Sequence, residues 1–169
     1  YYDTDINHEN KPDFYSVNTL KFETIFDSED KIDFATKGRV IGLSLETNLF
    51  STSGSQGFSK AILEYKANHT TGRHTWSPGF YFGFADISTP LPELFDLGGQ
   101  DDFFGIMEEQ EMGRQLARGQ FEYRYKAPFT IFFDTYFSLR YDIGAAWAMP
   151  EAIKLSESKH AIGATIASD

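Results

Sequence analysis

Residues 117–127 read ARGQFEYRYKA. Its odd positions are Ala117, Gly119, Phe121, Tyr123, Tyr125 and Ala127; its even positions are Arg118, Gln120, Glu122, Arg124 and Lys126. One face is wholly apolar or aromatic and the other wholly polar. A period of two is the signature of an extended strand, because successive side chains point to opposite sides of the pleat. Six more segments carry the same alternation. Residues 131–147 place Ile131, Phe133, Phe137, Leu139, Tyr141, Ile143 and Trp147 with Thr135 on one face. Asp134, Ser138, Arg140 and Asp142 lie opposite, beside Phe132 and Tyr136. Residues 76–87 set Trp76, Phe80, Phe82 and Phe84 against Ser77, Gly79, Gly83 and Ala85. Residues 39–50, 58–69, 14–26 and 160–167 complete the series, and no helical periodicity competes over a comparable span.

The small residues behind the Phe stripe of 76–87 imply that something packs closely against that side of the strand. Connections alternate in length. Residues 27–37, 70–75 and 128–130 form one set of turns; 51–57, 88–116 and 148–159 form the other, longer in two cases of three. Strands of about ten residues, rising roughly 3.3 Å each and tilted, cross an apolar band of about 25 Å. Short turns at one rim and long loops at the other match the pattern of outer-membrane barrels.

Composition narrows the classes. The 169 residues carry a net charge of −10, from 15 basic and 25 acidic side chains, which argues against a nucleic-acid partner. Absence of cysteine removes disulfides and thiolate metal sites. Aromatic residues make up 17%, with 17 Phe and 9 Tyr, yet mean hydropathy is −0.38. No run approaches the roughly 20 apolar residues of a membrane helix. Two architectures reconcile these facts: an aromatic β-sandwich, whose sheets also alternate, and a membrane barrel with apolar residues at every second position. Charges of both signs at successive polar positions and unusually aromatic apolar faces favour the barrel. The expected fold is therefore all-β, an antiparallel transmembrane β-barrel of which about seven strands are present. Residues 1–13 read as a tail or linker and 14–169 as the barrel segment. The chain begins without an initiator methionine and ends just after a strand, so it reads as an excised piece of a longer polypeptide.

Chemistry-bearing motifs are few. STSGSQG at 51–57 lacks the strand-to-helix setting of a serine nucleophile elbow and reads as a turn. Asp3, Asp5 and Asn7 mimic the start of a calcium loop, but His8 replaces its glycine and Phe14 its closing acid. Glu108, Glu109 and Glu111 form a solvated charge run able to attract a divalent cation. His8, His69, His74 and His160 have no ligand spacing. No catalytic residue, cofactor or metal is expected.

Between the strand-like segments lies LGGQDDFFGIMEEQEMG, residues 97–113. With ARGQFEYRY and RYDIGAAW downstream, it resembles the C-terminal half of the bacterial surface-antigen barrels. That superfamily comprises outer-membrane assembly and translocation proteins; the barrel appended to bacterial patatin-like phospholipases is the closer likeness. DSEDKIDFATKGRVIGLSLE, residues 27–46, is similar to the family's Asp-rich turn, Lys-Gly corner and returning strand. The resemblance spans about residue 14 to the end. It implies that a Gly-Gly hinge introduces a loop that folds back into the barrel, with Leu97, Gly98 and Gly99 at its opening. Phe103, Phe104, Gly105 and Ile106 match its tip, and Glu122 and Asp142 match two inward acids. In translocation members those acids hold a tip arginine. Phe104 occupies that position here, so the bridge cannot form in the same way, and patatin-like barrels more often carry such a tip.

The implied role is an outer-membrane anchor and channel wall with a loop folded into the lumen, whose parent is a patatin-like lipid hydrolase. The alternatives are the barrel of a protein assembly or translocation factor, and a soluble β-sheet binding module. Arg118, Glu122, Arg124, Asp134, Arg140 and Asp142 are the expected lumenal charges, with Glu122 and Asp142 pairing to Arg118, Arg124 or Arg140. Phe80, Phe82, Phe84, Phe121, Tyr123, Phe133 and Phe137 are the expected lipid-facing residues. The expected partner is outer-membrane lipid. An incomplete wall leaves two open edges, so the isolated chain is expected to oligomerise or to need detergent.

Overall fold

The computed structural model describes residues 17–51, 57–99, 103–108, 110–130 and 132–169. The tail expected over 1–13, the calcium-loop mimic, Phe14, most of the STSGSQG turn, Glu109 and Ile131 lie outside the described residues. The strands are β1 (Val17–Asp27), β2 (Lys37–Ser51), β3 (Ser59–Thr71), β4 (His74–Ala85), β5 (Phe95–Asp96), β6 (Met112–Gly113), β7 (Gln115–Thr130), β8 (Asp134–Trp147) and β9 (Lys159–Ser168). Seven of them form one antiparallel sheet in the order β1-β2-β3-β4-β7-β8-β9, and β5 pairs with β6 inside the long β4–β7 connection. Each strand of the main sheet is hydrogen-bonded to its neighbour along the chain, so the sheet is a plain up-and-down meander. It is not closed: β1 and β9 are its edges. Among the described residues only three short 3₁₀ turns are helical, and no helix is long and apolar enough to cross a membrane.

Register fixes which side chains share a face. Gly42, Glu64, Tyr81, Arg118 and Gly144 fall in one row across β2, β3, β4, β7 and β8, and loops pack against this side, the inner face. Leu43, Leu63, Phe82, Ala117 and Ala145 form the neighbouring row on the outer face. Apart from Trp147, buried at the end of β8, most large outer side chains stay bare, with exposures between Ile162 at 74% and Phe82 at 36%, so no second layer covers them. The buried core lies instead between the inner face and the β4–β7 loop, around Ala85, Phe95, Leu97, Phe103 and Leu116.

Two strand boundaries differ from the sequence expectation. β7 runs through Pro128 to Thr130, and β8 begins only at Asp134. Proline has no N–H to donate, and the β7–β8 ladder is interrupted between Lys126 and Thr130 without ending there. Phe133 consequently sits in the turn, exposed, and is not a strand residue. At the end of β4 the alternation continues to Ile87, but the chain has already turned. The Asp86 carboxylate accepts the Ser88 N–H (2.9 Å) and hydroxyl (2.6 Å), as well as the Ser59 N–H (2.6 Å).

The β1–β2 connection, residues 28–36, is similarly held by one carboxylate. Asp30 accepts the Thr36 hydroxyl (2.5 Å) and the N–H groups of Thr36 (2.7 Å) and Lys37 (3.0 Å). The hydroxyl first, then the two amides, favour the ionised form and hold the Asp30 pKa at about 2, below its ordinary 3.8. Because the folded value is the lower one, the turn is fully supported above pH about 4. It loses that support as pH falls through about 2. The Lys37 amide resonance should therefore titrate with a midpoint near 2. Thr36→Ala should move that midpoint up toward the ordinary carboxylate value, and a wild-type midpoint already there would refute the arrangement.

Candidate functional site

The inner face is lined with charges that a strand can place there only if each finds a partner. Arg140 donates from Nε to Asp142 Oδ1 at 2.8 Å, and Asp142 is buried at 1% exposure. Glu122 lies 3.5 Å from Arg124, whose Nη1 also donates to the Ala35 carbonyl at 3.4 Å. Arg118 stacks over Tyr81, 4.9 Å from the ring centre. Asp134, on the same face at the start of β8, accepts Lys126 and the Thr130 hydroxyl (3.0 Å). Phe80, Phe82, Phe84, Phe121, Tyr123 and Phe137 all lie on the opposite face.

Against this wall lies the β4–β7 loop, residues 86–114. Lys60 reaches from β3 to Glu93 at 2.8 Å, tying down the loop's first part. Three loop side chains then meet the wall where it has no side chain of its own. The Phe95 ring lies over Gly83, and a Cβ there would be 3.0 Å from three ring carbons. Leu97 covers Gly144, 2.8 Å from where a Cβ would be, and Phe104 covers Gly163 at 2.7 Å. Glycine is thus what the closest approach requires. The Phe95 contact accounts for Gly83 behind the Phe stripe of β4.

The loop is closed upon itself by β5–β6 pairing and by the Leu97 N–H donating to the Glu111 carbonyl at 2.9 Å. Gly99 N–H donates to the Ile106 carbonyl (3.0 Å), and Phe103 N–H to that of Gly99 (2.7 Å). Gly99 (φ 110°) and Gly105 (φ 78°) occupy the left-handed region. Gly98 is required for a different reason: a Cβ would lie 2.0 Å from the Met107 carbonyl oxygen. Leu97 and Phe103 are fully enclosed, which stabilises the docked loop by roughly 1.5–3 kcal/mol each. Phe104 is only half-buried, so its anchoring differs from that of Phe103. Its backbone N–H donates to Asp142 Oδ2 (3.1 Å), and the Arg140 guanidinium sits 4.8 Å above its ring centre. One buried carboxylate thus holds both the loop tip and the arginine that caps it.

A second element enters the inner face from the opposite rim, and the sequence reading missed it. In the β1–β2 connection, Phe34 adopts φ 50° and stacks on Tyr136, with centroids 4.5 Å apart. Arg124 lies 5.3 Å above the Phe34 ring, and Ala35 is buried. Glu29 of the same connection meets Lys66 (3.3 Å) and Asn68 (2.6 Å). A lone Phe within an acidic turn was the available signal. Between Phe34 and Phe104 remains a cavity of about 340 Å³, lined by Gln120, Glu122, Arg124, Ser138, Arg140 and Thr165. Two aromatic rings, each capped by an arginine, face a polar wall across it.

Of the acidic run, Glu111 pairs with Lys159 at 3.2 Å. Among the described residues no cluster of three carboxylates or imidazoles is placed to hold a metal. No protein-family model and no curated protein matches this sequence.

Two outcomes follow for the loop. Gly98→Ala drives a methyl group into backbone and should cost about 1–3 kcal/mol, as overpacking does. Gly105→Ala, with open space around its Cβ, meets no backbone and should cost less, only the strain of its positive φ. Limited proteolysis between β4 and β7 reads the difference; equal sensitivity would refute the packing. Asp142→Ala removes a charge-assisted acceptor from the tip and should weaken docking by about 1.5–3 kcal/mol. Solvent exchange of the Phe104 amide measures it, and unchanged protection would rule this contact out.

Proposed function

We propose that this chain is a stretch of antiparallel transmembrane β-barrel wall from a bacterial outer membrane. It serves as membrane anchor and channel wall, and the β4–β7 loop occupies the lumen. The observation that carries this reading is the segregation of the two faces. Inner positions of the single sheet hold charges paired with one another, while outer positions hold large apolar side chains with nothing against them. An apolar face of that extent in water is an association or membrane surface. Strands of 10 to 16 residues are long enough, when tilted, to cross an apolar band of about 25 Å.

Phe104 in the place of a tip arginine favours a patatin-like parent, whose hydrolytic residues are not in this chain. A second reading, the barrel of a protein assembly or translocation factor, draws support from Asp142, which engages the loop tip through its backbone amide. A soluble binding module would need a second layer over the outer face. In either membrane reading this chain itself performs no catalysis.

Insertion into lipid vesicles tests the proposal. Phe82→Arg, on the outer face, should destabilise the inserted state by roughly 2–4 kcal/mol near the bilayer midplane, and Ser138→Arg, on the inner face, far less. Equal effects, or a stable monomer in detergent-free buffer, would overturn it.

A further inference from the structure

The outer face bears an asymmetric distribution of charge. The chain has 25 acidic residues, yet among the described residues no Asp or Glu occupies an outward position on any of the seven strands. Glu23, Asp27, Glu46, Glu64, Glu122, Asp134 and Asp142 all fall on the inward rows. Of the strand lysines and arginines, Lys21, Lys60, Lys66, Arg118, Arg124, Lys126, Arg140 and Lys159 are inward too. The described exceptions are Lys37 and Arg39, one outward step apart on β2 at the rim of the short turns. The exposed Arg73 joins them from the β3–β4 turn at the same rim.

These cations continue into an amphipathic aromatic row. Register runs from Lys37 to His69, from His69 to Trp76 and from Trp76 to Tyr123, one residue on each of four adjacent strands. Trp76 packs on Tyr123 with centroids 4.5 Å apart, and His74 Nδ1 and Tyr123 Oη share a hydrogen bond of 2.6 Å. Arg39 lies over Phe26, 5.9 Å from its centre, its head group at the margin of the apolar face. Of the acids in the adjoining turn, Asp30 turns its carboxylate to the backbone and hydroxyl of residues 36 and 37, Glu29 meets Lys66 and Asn68 on the inner side, and Asp27 falls on an inward row.

We infer that this rim is a docking surface for anionic phospholipid headgroups, with Lys37, Arg39 and Arg73 meeting phosphate and Trp76 and Tyr123 lying at the headgroup level. The inference rests on the membrane reading above and names its lipid partner. Three features select a phospholipid: the cations sit only where the apolar face ends, acids are excluded from that face, and Trp and Tyr rings favour the interface. A chain of net charge −10 gains nothing from an anionic surface in bulk, so attraction must come from this local patch. Each cation near such a surface contributes roughly fivefold in partitioning.

The test compares binding of the full chain to phosphatidylcholine vesicles with binding when about a third of the lipid is phosphatidylglycerol, at low ionic strength. The ratio between the two lipids is read, so a general loss of folding cancels. Wild type should favour the anionic vesicles by roughly tenfold or more. The combined Lys37→Gln, Arg39→Gln, Arg73→Gln variant should lose that preference. Lys154→Gln with Lys159→Gln, at the opposite rim, should keep it. A triple variant with the wild-type ratio would overturn the headgroup site and leave the membrane reading standing. Failure of wild type to enter either vesicle would remove both.

Discussion

A single sheet has two faces and only one chain with which to satisfy them. Among the described residues the one further sheet is the two-stranded β5–β6 within a connection and no helix layer packs on either face, so what lies against the inner face is supplied by the connections between strands. The loop can approach closely because the wall opposite Phe95, Leu97 and Phe104 is glycine. A methyl group at any of these positions would hold the loop off by several tenths of an ångström, and the enclosed contacts of Leu97 and Phe103 depend on that distance. Docking in turn brings the Phe104 amide to Asp142, whose burial is tolerable only because Arg140 and that amide satisfy both oxygens.

Charge pairing on the inner face follows the same logic. Arg140–Asp142 and Arg124–Glu122 are pairs two residues apart on one strand, hence on one face. Each arginine then covers an aromatic ring brought in by a loop from a different rim: Phe104 in one case, Phe34 in the other. Cation, carboxylate and ring form the same three-part unit twice, with the polar cavity between them.

Much of this was legible in the residues. The alternation in ARGQFEYRYKA fixes strand and face together, and it carried to all seven strands because strict period two leaves no other regular structure. Gly83 pointed to close packing before its partner was known. Boundaries were less legible. Pro128 suggested a turn, but proline ends hydrogen bonding at its own N–H without forcing the chain to reverse. Phe34 was illegible for a different reason: a non-glycine residue at positive φ is set by its tertiary surroundings, here Tyr136 and Arg124, and no local pattern encodes it.

The contact at the loop tip has one more consequence. The donor that reaches Asp142 belongs to the main chain, so it is present whatever side chain residue 104 carries, proline excepted. Holding the loop and furnishing the cavity are thereby separate tasks at one position. Sequence drift there can repaint the chamber, making it larger, wetter or oppositely charged, while the latch stays shut.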